Sequence, residues 1–108
     1  MPTALHVSVA LAFRQQLHPA LRHLRTELEN RSLAFGSVVK TGRTHLMDAT
    51  PITLGQEFSG YAAQVEKAEE RSERAVWALR ELAVGGTAVE TGLNGHPEFA
   101  GLVCQILA

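Results

Sequence analysis

The sequence predicts an all-α chain of long antiparallel helices, and three observations carry the prediction. Two stretches of roughly thirty residues each repeat apolar side chains at every third or fourth position, the period of one helical face. Thr53-Leu54-Gly55-Gln56 is a capping-box sequence that opens the second stretch. Proline and glycine fall where helices begin and end.

The first helix carries Val7, Leu11, Leu17, Leu21, Leu24, Leu28 and Phe35 on its apolar side. Pro2 suits a first turn, where a missing N–H costs nothing, and Gly36, Lys40 and Gly42 mark the far end. Pro19 lies inside the pattern, where it removes one hydrogen bond and its ring presses on the carbonyl four residues back. A kink or break is expected near Gln15 to Pro19.

Residues Ser37 to Pro51 lose the helical period and gather Arg43, Thr44, His45 and Asp48, so they read as a polar connection. The next helix is expected to begin at Leu54. Phe58, Tyr61, Val65, Ala68, Ser72, Ala75, Leu79 and Leu82 then alternate three and four apart, close to a coiled-coil seam. Trp77 projects nearly opposite that seam, beside Glu66, Glu70 and Glu73, and is expected to mark a second helix-packing surface. Gly85 and Gly86 are expected to stop the helix. The stretch Gly86 to Gly95 is too rich in glycine for a helix interior, and a last helix is expected over Pro97 to Leu107. The second rod would be roughly 45 Å long, and two such rods have no closed core. The physical reading is a slice of a larger, oligomeric bundle.

Composition narrows the functions. With 45% apolar and 19% charged residues the chain is ordinary for a globular or helical protein, so disorder is not expected. Ten basic residues against eleven acidic ones leave no basic excess for a phosphate backbone, and nucleic acid is not an expected partner. No apolar run approaches the ~18 residues that cross a membrane. Cys104 has no second cysteine to pair with, which fits a reducing compartment, and reads as a small apolar side chain on a helix. None of the five histidines forms a metal-binding pair on a helix, so no metal site is expected. His18 and His23, ~140° apart around a helix, read as surface or interhelical polar residues. The glycines reproduce neither phosphate-loop nor dinucleotide spacing, and no nucleotide cofactor is expected.

What remains is Thr44-His45-Leu46-Met47-Asp48-Ala49-Thr50-Pro51, a polar loop at the end of two rods. Thr44 offers a hydroxyl to a carboxylate, and an imidazole such as His45 trades protons near neutral pH. A histidine in a loop is more often a capping or hydrogen-bonded structural residue, and spacing leaves both readings open.

These residues carry a resemblance. Gly42-Arg43-Thr44-His45-Leu46-Met47-Asp48-Ala49-Thr50-Pro51, followed by Thr53-Leu54-Gly55-Gln56-Glu57, resembles the central block of class II fumarases. Gly85-Gly86-Thr87-Ala88-Val89, Thr91-Gly92-Leu93-Asn94 and His96-Pro97-Glu98-Phe99 resemble the segment that follows in that family, in the same order and spacing. Met1-Pro2-Thr3-Ala4-Leu5-His6-Val7 is similar to the stretch after its Ser-Ser-Asn substrate loop. Aspartases usually carry Gln at the place of His45 and lack the His-Pro-Glu pattern. Argininosuccinate and adenylosuccinate lyases share the Thr-His pair but not the Asp48 to Pro51 continuation.

The resemblance implies that residues 1–108 are a single segment, an internal fragment of the central helical bundle of the fumarase/aspartase-like fold. It implies the reversible hydration of fumarate to L-malate, a tricarboxylic acid cycle step, in a homotetramer whose active sites are each assembled from three subunits. A cytoplasmic location is implied, or alternatively a mitochondrial one, with no metal or organic cofactor. Thr44 would bind a substrate carboxylate, and His45 would be a catalytic acid/base. The Ser-Ser-Asn loop would precede Met1, and the loop with the catalytic Ser and substrate-binding Lys and Asn would follow Ala108, so the chain is expected to be inactive alone. An aspartase-like lyase and a non-catalytic helical oligomerisation module are the alternatives. Glu90 stands where the family usually has Gly, and a carboxylate at a tight glycine crossing is expected to clash or to lack a partner.

Overall fold

The computed structural model describes residues 2–108. Helix α1 (Pro2–Ala12), a π-helical turn (Phe13–Leu17) and α2 (His18–Ala34) run on as one rod of roughly 50 Å. Strands β1 (Val39–Thr44) and β2 (Met47–Thr53) form an antiparallel hairpin at its end. Helix α3 (Leu54–Ala78) returns along the rod, and α4 (Phe99–Leu107) follows a glycine-rich loop.

Side-chain links show the antiparallel pairing, because partners on α3 climb in number as those on the first rod descend. Ser32 Oγ donates to the Gly55 carbonyl at 2.9 Å. Arg25 lies 3.5 Å from Glu66, and His18 lies 3.1 Å from Glu73. Beyond α3, the carbonyls of Glu81 and Ala83 take hydrogen bonds from His6 Nδ1 at 3.1 Å and Thr3 Oγ1 at 3.0 Å. Helix α3 ends at Ala78 and not at the glycines, its end tightening into bonds from Leu79 N to the Val76 carbonyl and from Arg80 N to the Trp77 carbonyl.

Pro19 does perturb the first rod, by a π turn that widens the helix without breaking it. The amide of His18 donates five residues back, to the Phe13 carbonyl. The extra residue appears in the contact face, which steps from Phe13 to His18 and then proceeds through Leu21, Arg25, Leu28, Ser32 and Phe35 at the usual three and four spacing. His18 stacks on Phe13, with centroids 5.5 Å apart. His18 is therefore interhelical, whereas His23 is exposed.

The stripe that α3 turns toward the rod departs from the predicted seam at two positions and is broader than it. Phe58, Val65, Ala68 and Ser72, with Leu79 and Leu82 just beyond the helix, are half-buried as expected, but Gly55, Ala62, Glu69 and Val76 join them, while Tyr61 and Ala75 are exposed. Small residues at Gly55 and Ala62 let the helices approach closely. Glu69 is 7% exposed. A buried carboxylate is costly unless paired, and the Arg25 Nε 3.6 Å away supplies the opposite charge, although neither atom makes a well-directed hydrogen bond.

Among the described residues Phe13 and Ala62 are the buried apolar side chains. The accessible surface is 8501 Å², whereas a compact monomer of this mass exposes about 5,900 Å². The radius of gyration is 22.5 Å against about 13 Å for a compact domain of this length. Trp77 is 67% exposed with the Arg80 guanidinium 4.5 Å over its ring. The free thiol of Cys104 is exposed on α4.

Two further expectations are corrected in the C-terminal part. The last helix starts at Phe99, because Glu98 N donates to His96 Nδ1 and Phe99 N to the His96 carbonyl in a turn. Glu90 is exposed, so its carboxylate faces solvent without a clash and needs no protein partner. Its backbone instead sits at φ 60°, in the left-handed region, and its Cα lies 2.8 Å from where a Cβ on Gly86 would be. Left-handed backbone is the conformation that favours glycine, the residue that the resemblance leads one to expect at this position.

Candidate active site

Ser37 to Pro51 is a β-hairpin in large part, not an irregular connection. Its root is built from backbone groups: Leu54 N donates to the Val38 carbonyl at 2.8 Å, and Gly55 N to the Phe35 carbonyl at 3.0 Å. The capping box then starts α3 as expected, with Gln56 N donating to Thr53 Oγ1 at 3.1 Å and Thr53 N to Gln56 Oε1 at 2.8 Å.

Register places Val39 opposite Thr53, Lys40 opposite Ile52, Thr41 opposite Pro51, Arg43 opposite Asp48 and Thr44 opposite Met47. The shift leaves Ala49 and Thr50 facing the single Gly42, so the bulge residue belongs to β2. Gly42 is required there, since a Cβ would stand 2.5 Å from the Thr50 carbonyl oxygen.

The tip is a two-residue turn, His45-Leu46, with φ of 51° and 61°. Two left-handed residues make the primed turn whose twist matches that of the strands, and each non-glycine residue held so costs of order 1 kcal/mol. Thr44 and His45 are both exposed, as are Leu46 and Met47. The structure thus brings the two predicted site residues together at the end of the rod pair, with the imidazole open to its surroundings.

The charges near the tip are already engaged. Arg43 Nε lies 3.1 Å from Asp48 Oδ1 across the ribbon, an exposed pair worth under about 1 kcal/mol. Lys40 Nζ lies 2.5 Å from Glu57 Oε2, and Tyr61 OH donates to Glu57 Oε1 at 3.1 Å. The Lys40 ammonium, and after it the Tyr61 hydroxyl, hold the Glu57 carboxyl below its ordinary value of 4.5. Sequence reasoning missed this trio: Lys40 and Glu57 are seventeen positions apart, and no local pattern links them.

Among the described residues no cluster of three metal-ligating side chains occurs. A groove of about 640 Å³ opens between the first rod and α3 at Val9, Phe13, Leu17, Ala75, Val76 and Leu79. It is apolar and lies at the other end of the helix pair from His45, so it is a gap between splayed helices and not a seat for an anion. No helix among the described residues is long and apolar enough to cross a membrane.

The chain belongs to the lyase family, whose model matches residues 1–108. Within that family its similarity is to class II fumarate hydratases. It is 55% identical to the fumarate hydratase class II of Nitrosomonas europaea over 99% of the chain and 23% of that protein. It is 51% identical to that of Bacillus subtilis over 96% of the chain and 22% of that protein. The crystal structure of the class II fumarase from Schistosoma mansoni superposes with a TM-score of 0.92 at 40% identity, over 98% of this chain and 22% of that one. The chain thus spans less than a quarter of the length of these relatives.

Proposed function

We propose that this chain contributes one strip of a class II fumarate hydratase active site, part of the enzyme's central helical bundle. The substrates are fumarate and L-malate. In the hydration direction His45 takes a proton from the attacking water while the adjacent carbon takes its proton from an acid on another strip, the serine that the resemblance implies; in dehydration that group removes the C–H proton and His45 returns one to the departing hydroxyl. Thr44 donates its hydroxyl hydrogen to a substrate carboxylate. The chemistry is assigned to side chains, with no metal or organic cofactor.

The observation that carries the reading is the exposed His45-Leu46 turn, held in a left-handed conformation beside Thr44. Lys40 is paired with Glu57, and Arg43 lies beside Asp48 in an exposed pair, so each of the hairpin's two cations has a carboxylate of this chain against it. A dianionic transition state needs positive charge and dipoles aimed at it, so the remaining strips must supply them. Three subunits of a homotetramer sharing each pocket would meet that need, and by themselves these 108 residues would not turn over.

Loss of fumarate absorbance tests the proposal. The purified chain should give none, and polypeptides supplying the rest of a class II fumarate hydratase should restore it. His45→Asn should then lower the restored rate by about 10²- to 10⁴-fold. Turnover by the chain alone, or a fully active His45→Asn complement, would overturn the assignment. No restoration at all would favour a helical oligomerisation module without chemistry.

A further inference from the structure

A two-stranded ribbon is marginally stable on its own in water, so the direction of this hairpin must be set from outside. Its backbone ties to the helices lie at the root, at Phe35, Val38, Leu54 and Gly55. The Arg43–Asp48 pair joins one strand to the other and leaves the ribbon free to swing. Farther out than the root, the side-chain tie to α3 among the described residues is Lys40 to Glu57, with Tyr61 holding the second oxygen of the carboxylate.

Strand geometry connects that tie to the tip. The bulge residue sits on β2, so alternation along β1 is unbroken and Lys40, Gly42 and Thr44 share one face. This is the inward face at its base: Lys40 is half-buried and Gly42 buried, while Val39, Thr41 and Arg43 are exposed. Thr44 lies about 13 Å along the strand from Lys40. A swing of about 10° at the clasp therefore moves the tip by roughly 2 Å, and a misplacement of about 1 Å at a reacting group can cost ~100-fold in rate.

We propose that Lys40 and Glu57 are positioning residues, whose clasp fixes the tilt and rotation of β1 and so the direction in which Thr44 and His45 are delivered. The meaning of that direction rests on the fumarate hydratase reading, but the clasp is tested by motion at the tip. Backbone order is read by nitrogen-15 relaxation on the labelled, dilute chain. In Lys40→Met and Glu57→Gln the order parameters of Thr44 and His45 should fall from the rigid range near ~0.85 to below ~0.6, while those of Ala62 and Val65 stay unchanged. The exchanged pair, Lys40→Glu with Glu57→Lys, should restore order at the tip, which a purely space-filling role for either side chain would not predict.

Unchanged tip order in both single variants overturns the inference, as does loss of order spread equally through α2 and α3. If the single variants unfold, the exchanged pair decides: a rigid tip sustains the clasp and a mobile one refutes it. Because none of these readings requires turnover, they stand or fall separately from the complementation assay.

Discussion

Gly55→Ala tests how the hairpin root is built, because the usual effect of this substitution in a helix is reversed by the structure. Gly55 is buried in the first turn of α3. A Cβ there would lie 2.5 Å from the Ser32 carbonyl oxygen, 2.8 Å from Gly36 Cα and 2.9 Å from Gly36 N. All three are backbone atoms, so no side chain can swing aside, and overpacking of this kind costs about 3 kcal/mol at the upper end of its ordinary range. Alanine returns up to about 1 kcal/mol of helix propensity, leaving a net loss of about 2 kcal/mol. Gly60 is the internal control: it lies on the same helix and an added Cβ meets nothing within 4 Å, so Gly60→Ala should stabilise by about 0.5–1 kcal/mol. Urea denaturation followed by circular dichroism at matched protein concentration reads both, since association shifts apparent stability. A Gly55→Ala midpoint at or above that of the parent would refute the close crossing of α2 and α3.

Four further outcomes are expected. Glu90→Gly should raise the urea midpoint, by about 0.5–1 kcal/mol, because it relieves a left-handed glutamate; a lowered midpoint would show that the side chain makes a contact worth more than the strain. Phe13→Ala should cost about 3 kcal/mol and half-buried Leu79→Ala only about 1–2 kcal/mol, and equal losses would contradict the difference in their burial. The chain should self-associate in sedimentation, since it exposes about 2,600 Å² more than a compact monomer of its mass and a standard interface takes about 800 Å² from each partner; a compact, stable monomer would contradict this. With its folded pKa depressed by Lys40, Glu57 contributes stability that is complete above pH 4.5 and is lost as pH falls through the lower folded value. The stability difference between the parent and Glu57→Gln should therefore shrink only below pH 4.5, and a difference that fades between pH 5 and 7 would point to another group.

The parts of the fold legible in the sequence are those whose cause is local. Thr53 and Gln56 lie within one turn, so the start of α3 followed from their side-chain chemistry alone. Pro19 announced a disturbance, but whether the helix breaks or widens depends on α3 holding the contact face in step on both sides of the turn. The hairpin was hidden because His45-Leu46 lacks the Asn-Gly signature of a primed turn, and the bulge opposite Gly42 spoils the alternation along β2. The α3 seam was misread at Tyr61 and Ala75, which are exposed, and at Glu69, which is buried, because hydrophobicity favours the first two over a carboxylate and only Arg25 on the facing helix makes a buried carboxylate tolerable. Thr44 and His45 were found through family motifs, since spacing did not separate a catalytic from a structural histidine.

The same non-local logic bears on the proposed site. A loop that merely displayed His45 would need no strain, yet the turn holds two non-glycine residues at positive φ at a cost of order 1 kcal/mol each. That cost is offset behind the turn, by the ladder to β2 and the clasp to Glu57. Such an arrangement sends the side chains at the tip outward, away from the rods that support them. A proton shuttle aimed outward has no substrate pocket within its own helix pair; Lys40 is held by Glu57, and Arg43, weakly paired with Asp48, is a single cation against a dianion. On the proposed reading, the fumarate dianion is therefore bound between this tip and cationic groups on neighbouring elements. His45 then works in a pocket closed by association, which makes self-assembly of the rods and positioning of the hairpin two parts of one catalytic requirement.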